Sequence, residues 1–139
     1  MSHQNLELVK AFFHAYNARN IEAVDRLLHP EAEITTLSTR AGMPDHWRQG
    51  TTKRYFEQLD EAWTDLHVEV EDYRELGDCV VALGVLRGAG VSSHVEVARD
   101  FATVFVVRNS QIVLLETYDN WKAGLEAAGL PEARPGKRD

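Results

Sequence analysis

The period of the apolar residues changes after Trp63, and that switch constrains the fold more than any other feature. Most of the apolar residues before Trp63 recur at helical spacing, and from Leu66 they alternate, opening a run of long strands. A helix turns the same face to the core every three or four residues, whereas a strand does so every two. The chain therefore has to place helices first and a strand-rich half last. That segregation predicts an α+β domain in which the helices cover a sheet.

The individual elements follow from the same reading. Over residues 5–16, Leu6, Val9, Phe12, Phe13 and Tyr16 make one apolar stripe, with Glu7, Lys10 and His14 opposite it. Asn20 is placed to cap a second short helix, 21–28, which His29-Pro30 ends, because proline disfavours the helical conformation of the residue before it. Residues 32–39 are β-branched and predict a strand; 40–49, with Gly42 and Pro44, predict a loop that carries His46 and Trp47. A third helix is expected over 51–63, with Tyr55, Leu59 and Ala62 in one row.

Leu66, Val68 and Val70 then alternate with His67, Glu69 and Glu71 in a one-sided strand that can run on to Leu76. Gly77-Asp78 signals a turn into a strand over 79–87, and long strands over 95–107 and 111–118 flank a turn at Asn109-Ser110. Residues 101–107 are apolar on both faces, so the second face must be covered by helices or by another subunit. A last helix is expected over 119–128, ended by Gly129. With no repeat and no linker, residues 1–130 read as one domain and 131–139, rich in proline and charge, as a flexible tail.

Charge and cysteine content narrow the partners. Fifteen Lys and Arg against 22 Asp and Glu leave a net charge of −7, the wrong sign for nucleic acid or an anionic membrane surface. No apolar run approaches the roughly 18 residues of a membrane span. The opening residues lack a cationic segment followed by an apolar one, so no secretory signal is expected and the location expected is cytoplasmic. Cys79 is the only cysteine, and the six histidines show no metal-binding spacing, so no metal or other cofactor is expected.

Three stretches carry a family resemblance: "LVKAFFHAYNARNIEAVDRLLHPEAEI" (8–34), "RYFEQLDEAWTDLHVEVEDYRELGDCVVALGVLRG" (54–88) and "FATVFVVRNSQIVLLETYDNWKAGLEAAGL" (101–130). In their order and spacing the chain resembles the SnoaL-like branch of the nuclear transport factor two-like superfamily, which includes ketosteroid isomerases, limonene epoxide hydrolases and polyketide cyclases. The resemblance implies a cone: a strongly curved, mixed or antiparallel sheet wrapped around the N-terminal helices, enclosing an internal cavity. It also implies a homodimer formed through the outer face of the sheet.

The chemistries of those relatives can be tested against these residues. The isomerases use a tyrosine, a protonated aspartic acid and an aspartate base, and the matching positions hold Phe12, Thr103 and Thr36, which supply no carboxylate. The Asp-Arg-Asp set of the epoxide hydrolases falls near Gly84, Leu86 and Thr117, none ionisable in that sense. The cyclases need one acid/base carboxylate just after the last strand, in a pattern that "EHWD" typifies. Here Glu116-Thr117-Tyr118-Asp119 stands there, so Asp119 maps onto the carboxylate while Thr117 and Tyr118 replace the His-Trp pair.

The resemblance thus nominates Asp119 as the catalytic residue, although an aspartate at the start of a helix also serves as an N-cap. Tyr16, Thr36, His46, Trp47, Tyr55, Phe101, Thr103 and Tyr118 are the candidates for contacting substrate. Arg99 and Asp100 interrupt an apolar strand, and since neighbours alternate only one of them can face the cavity; the other reading is an ion pair at a rim or interface. The functional expectation is binding of a small hydrophobic molecule, with cyclase- or isomerase-like proton transfer if the domain is catalytic. The competing expectation is a non-catalytic module, either ligand-binding or a dimerising scaffold.

Overall fold

The computed structural model describes residues 2–40, 42 and 47–130. The expected tail, 131–139, and His46 lie outside the described residues. Helices α1 (Ser2–Asn17) and α2 (Ile21–Leu27) lead into strand β1 (Leu28–Thr35), a single helical turn α3 (Leu37–Arg40) and helix α4 (Thr52–Ala62). Strands β2 (Trp63–Leu76), β3 (Cys79–Gly90), β4 (Glu96–Arg108) and β5 (Gln111–Tyr118) follow, and helix α5 (Trp121–Ala127) comes last.

The strands form one sheet in the order β1-β5-β4-β3-β2. Sequential strands β2 to β5 pair antiparallel through tight turns, and Asn109 and Ser110, at φ 53° and 63°, give the left-handed pair of residues that a two-residue hairpin favours. β1 joins the far edge parallel to β5. The expected cone is not what forms. The sheet is open and not strongly curved, with β1 and β2 as two separate edges that do not pair, and helices lie on both of its faces rather than inside it. Closure would need the two edge strands to meet in register. The chain instead spends its N-terminal helices on one face and α5 on the other.

β1 also starts earlier than the sequence suggests. His29-Pro30 ends the helix but does not delay the strand, which begins at Leu28 directly after α2. Pro30 has no N–H for a ladder, and it is tolerated because β1 is an edge strand whose register with β5 shifts between Leu28 and Glu33. The strand stops at Thr35, four residues short of expectation. Thr36 ends it by capping the next turn: its Oγ1 accepts a hydrogen bond from the Thr39 N–H at 3.2 Å.

Two cores result. On the inner face, Val9, Phe12, Val24 and Phe56 from the helices pack against Val80, Phe105 and Ile112 of the sheet. On the outer face, Trp121 and Leu125 of α5 cover Val81, Leu83, Ala102 and Val104. This second cluster accounts for the strand that is apolar on both sides: of the two covers that the sequence left open, the chain supplies its own helix. α5 comes close because residue 124 is glycine. A Cβ there would stand 2.4 Å from the Ala102 Cβ. Trp121 Nε1 fixes the helix by donating to the Gly84 carbonyl at 3.1 Å. Among the described residues, no helix is long and apolar enough to cross a membrane.

Candidate functional site

The inner face of the sheet is not filled completely by the helices. A pocket of about 350 Å³ remains between α1, α4, the Thr36–Leu37 corner, Trp47 and the inner residues of β2 to β5. α1 brings Phe12, Phe13 and Tyr16 to it, because their i, i+1, i+4 spacing puts all three on the buried side of the helix. The strands bring alternate residues. On β4 these are Val97, Arg99, Phe101 and Thr103, and on β5 Leu115 and Thr117.

One wall is an aromatic stack. The Trp47 and Tyr55 rings lie parallel at 8°, their centroids 4.2 Å apart, and Phe12 stacks near Trp47 at 6.1 Å. Trp47 is held rather than loose. It is only 6% exposed, its Nε1 donates to Thr52 Oγ1 at 3.0 Å, and Thr52 Oγ1 in turn donates to Asp25 of α2. Gln49 Nε2 ties the same segment to α2 and β1 through the Asp25 and Leu28 carbonyls. A buried indole N–H with a partner and a ring clamped in a stack make a rigid wall.

The floor under this stack is braced by Arg19 and Asn17. Arg19 adopts φ 56° in the turn between α1 and α2, and its guanidinium donates to Asp60 of α4 and to the carbonyls of Tyr16 and Leu66. It also lies over the Tyr16 and Phe56 rings at 5.5 and 5.1 Å. Asn17 pairs with the open edge of β2: Nδ2 donates to the Val68 carbonyl, and the Val68 N–H donates to Oδ1, both at 2.9 Å. These two residues lock the pocket's helical wall to its sheet wall.

The polar groups of the pocket are few and placed. Thr103, 3% exposed, and Thr117 face each other across β4 and β5 with their hydroxyls 3.1 Å apart. Thr36, also buried, sits at the β1 end with its hydroxyl 3.2 Å from that of Thr39. Arg99 is the one charged lining residue among the described residues; none is a carboxylate or a histidine.

Of the residues nominated from the sequence, Tyr16, Thr36, Trp47, Tyr55, Phe101 and Thr103 line this pocket together. Tyr118 is on the opposite face, in the cluster beneath α5, where its hydroxyl donates to Glu116 Oε1 at 3.0 Å. Asp119 is exposed and outside the pocket lining, and it accepts a hydrogen bond from Asn120 Nδ2. The cap of α5 is Asn120, whose side chain accepts from the Ala123 N–H. Thr117 and Arg99 were not nominated as contacts. Alternation from Phe101 and Thr103 carried the signal for Arg99, which shares their face, and the same alternation puts Asp100 on the other.

Other reactive groups lie apart. Burial pushes the half-buried Cys79 thiol above its ordinary pKa, which disfavours the thiolate. Among the described residues, no three His, Cys, Asp or Glu side chains come close enough to hold a metal ion.

The SnoaL-like domain model matches residues 9–115. A protein of ketosteroid isomerase-like fold from Catenulispora acidiphila, solved in complex with trimethylamine, is similar at 21% identity and a TM-score of 0.71, over 90% of this chain and 94% of that one. TerC, co-crystallised with polyporic acid, is similar at 17% identity and a TM-score of 0.73, over 88% of this chain and 96% of its own. A protein described as NTF2-like from Burkholderia thailandensis gives 21% and 0.72, over 91% and 98%. At these identities the likeness is one of fold. No curated protein matches the chain.

Proposed function

The chain belongs to the SnoaL-like domain family, and we propose that within it this protein binds a small, largely hydrophobic molecule in the pocket between α1, α4 and the sheet. One observation carries the reading. The pocket is lined by aromatic and aliphatic side chains, interrupted by three threonines and one arginine, which is the make-up of a small-molecule site. Its volume of about 350 Å³ lies at the small end of the roughly 300–1,000 Å³ usual for such sites. The complexes of solved relatives with trimethylamine and polyporic acid are consistent with small molecules as occupants of this fold.

Binding is favoured over proton transfer for a reason of chemistry. Moving a proton from carbon needs a base within hydrogen-bonding reach of the substrate. No described lining residue is a carboxylate or histidine, and the nominated acid/base, Asp119, is exposed beyond the pocket wall. In this reading the threonine hydroxyls orient the ligand and the Trp47–Tyr55 stack supplies a flat apolar face for it.

The test is a titration with 2-naphthol, followed by tryptophan fluorescence, since Trp47 and Trp63 both line the pocket. Saturable quenching is expected in the wild type. It is expected to persist in Asp119→Asn and to vanish in Val97→Trp, which fills the pocket from a half-exposed strand position. If Val97→Trp binds as well as the wild type, the ligand sits elsewhere. An absence of saturable binding for naphthol and a panel of comparable apolar compounds would favour the scaffold reading instead.

A further inference from the structure

Resting on that pocket reading, we propose that the molecule it takes is an amphipathic organic anion: an apolar body with a carboxylate or similar group, held by Arg99. The pocket is otherwise uncharged among the described residues, and Arg99 lies within its lining on β4, two residues from Val97 on one side and from Phe101 on the other. Its cross-strand partner on β3 is Leu86, also a lining residue. Along and across the strands its neighbours are Val97, Phe101 and Leu86, so a single cation stands beside an apolar surface.

No acid among the described residues answers it. Arg19 pairs with Asp60, Arg74 with Asp72, Arg87 with Glu69 and Arg108 with Asp78; Arg26, Arg48 and Arg54 carry no described ion pair either, but they lie outside the pocket lining. Among the described residues, the Arg99 side chain has no hydrogen bond and no ion pair. Its chain neighbour Asp100 cannot supply one, because it projects from the opposite face of the strand, as does Glu96. In a chain of net charge −7, the one charged side chain described at the apolar pocket is therefore a cation with its donors unspent.

Position adds to this. The pairing of β4 with β5 begins at Ala102, so Arg99 stands beyond the end of β5, where β4 is paired on its β3 side only. The side chain is exposed, yet it belongs to the pocket lining. A ligand whose apolar part lies against Phe101 and the Trp47–Tyr55 stack can present its charged end to Arg99 at the rim. A planar carboxylate suits the forked donors of a guanidinium, and such a charge-assisted, two-pronged pair is stronger and more directional than a neutral hydrogen bond.

The experiment compares two probes of one shape, 2-naphthoate and neutral 2-naphthamide, by isothermal titration calorimetry on the full chain. Wild type is expected to bind the naphthoate about tenfold more tightly than the amide, a difference of about 1.4 kcal/mol. Arg99→Gln is expected to remove that preference while leaving the amide unchanged, and Arg99→Lys to retain part of it. Thermal melting of each variant checks the fold, which has no described polar contact to lose at this position. Equal affinity of the two probes in the wild type, or a naphthoate preference that survives Arg99→Gln, would overturn the anion assignment and leave the apolar pocket standing. Failure of both probes to bind would overturn the assignment together with the pocket reading on which it rests.

Discussion

Asn17 offers the sharpest test of how this pocket is held together. Its carboxamide does for the edge of β2 what a sixth strand would do: it gives the Val68 carbonyl a donor and the Val68 N–H an acceptor, each at 2.9 Å. Asn17→Ala removes both bonds. A hydrogen bond of this type contributes about 0.5–1.5 kcal/mol net, and because Asn17 is itself exposed, water can replace part of what is lost. The expected cost is therefore about 1–2 kcal/mol. For a domain of this size each kcal/mol lowers Tm by about 3–5 °C, so the melting temperature should fall by about 3–10 °C.

Asn17→Asp separates the two bonds. A carboxylate still accepts from the Val68 N–H but faces the Val68 carbonyl with no proton to give, so at neutral pH it should be no more stable than the alanine variant. Urea unfolding gives the free energies, and the naphthol titration gives the site. Because Val68 and Tyr16 line opposite walls of the pocket, binding should weaken more than twofold in Asn17→Ala. An alanine variant within about 0.3 kcal/mol of the wild type, with unchanged binding, would refute the claim that this pair ties the helix to the sheet edge.

Two further outcomes follow from the sheet. His67 on β2 should titrate above the ordinary histidine value of 6.5, because its ring is hydrogen-bonded to the Asp65 carbonyl at 2.8 Å and to Glu69 at 3.1 Å. A histidine with a raised folded pKa stabilises most when both states are protonated, so its contribution is complete below about pH 6.5 and is lost as pH rises through the folded value. The pair is exposed, so the effect on stability is small and the direct readout is an NMR titration of the His67 ring; a midpoint at or below 6.5, or no downward movement in Glu69→Gln, would count against it. Gly84→Ala should destabilise by about 1–3 kcal/mol by overpacking, since its Cβ would meet the Glu69 carbonyl oxygen at 2.2 Å and backbone cannot rotate away. Chemical denaturation checks this, and an alanine variant as stable as the wild type would mean that β2 and β3 separate more readily here than the structure implies.

What could be read before folding, and what could not, divides along the range of the interactions. The hairpin strands and their turns are local. Gly77-Asp78 and Asn109-Ser110 mark them, and β5 occupies 111–118 as its alternation predicts. Asn20 caps α2 from one residue away, accepting the Ala23 N–H. The end of β1 was less legible, because β-branched Thr36 and Thr39 suit a strand by propensity, yet the Thr36 hydroxyl turns the chain by bonding the Thr39 N–H. Asp119 and Tyr118 were nominated through a family pattern whose flanking residues differ here. One residue of offset at the start of α5 makes Asn120 the cap, and alternation along β5 turns Tyr118 to the outer face.

The sequence by itself determined the α+β order, the apolar faces of the helices, the inward row of Phe101 and Thr103, and the acidic balance. Those properties depend on residue type and on spacings of one to four positions. Only the tertiary structure decided that β1 pairs parallel with β5, that the sheet stays open, that α5 packs on the outer face, and that the Thr103 and Thr117 hydroxyls meet. It also decided that Arg99 lies in an apolar lining with no described acid against it. Each of these depends on which distant segments come into register, and on the packing of side chains tens of residues apart. Local spacing says which face a residue occupies; the assembled sheet and helices decide what that face meets.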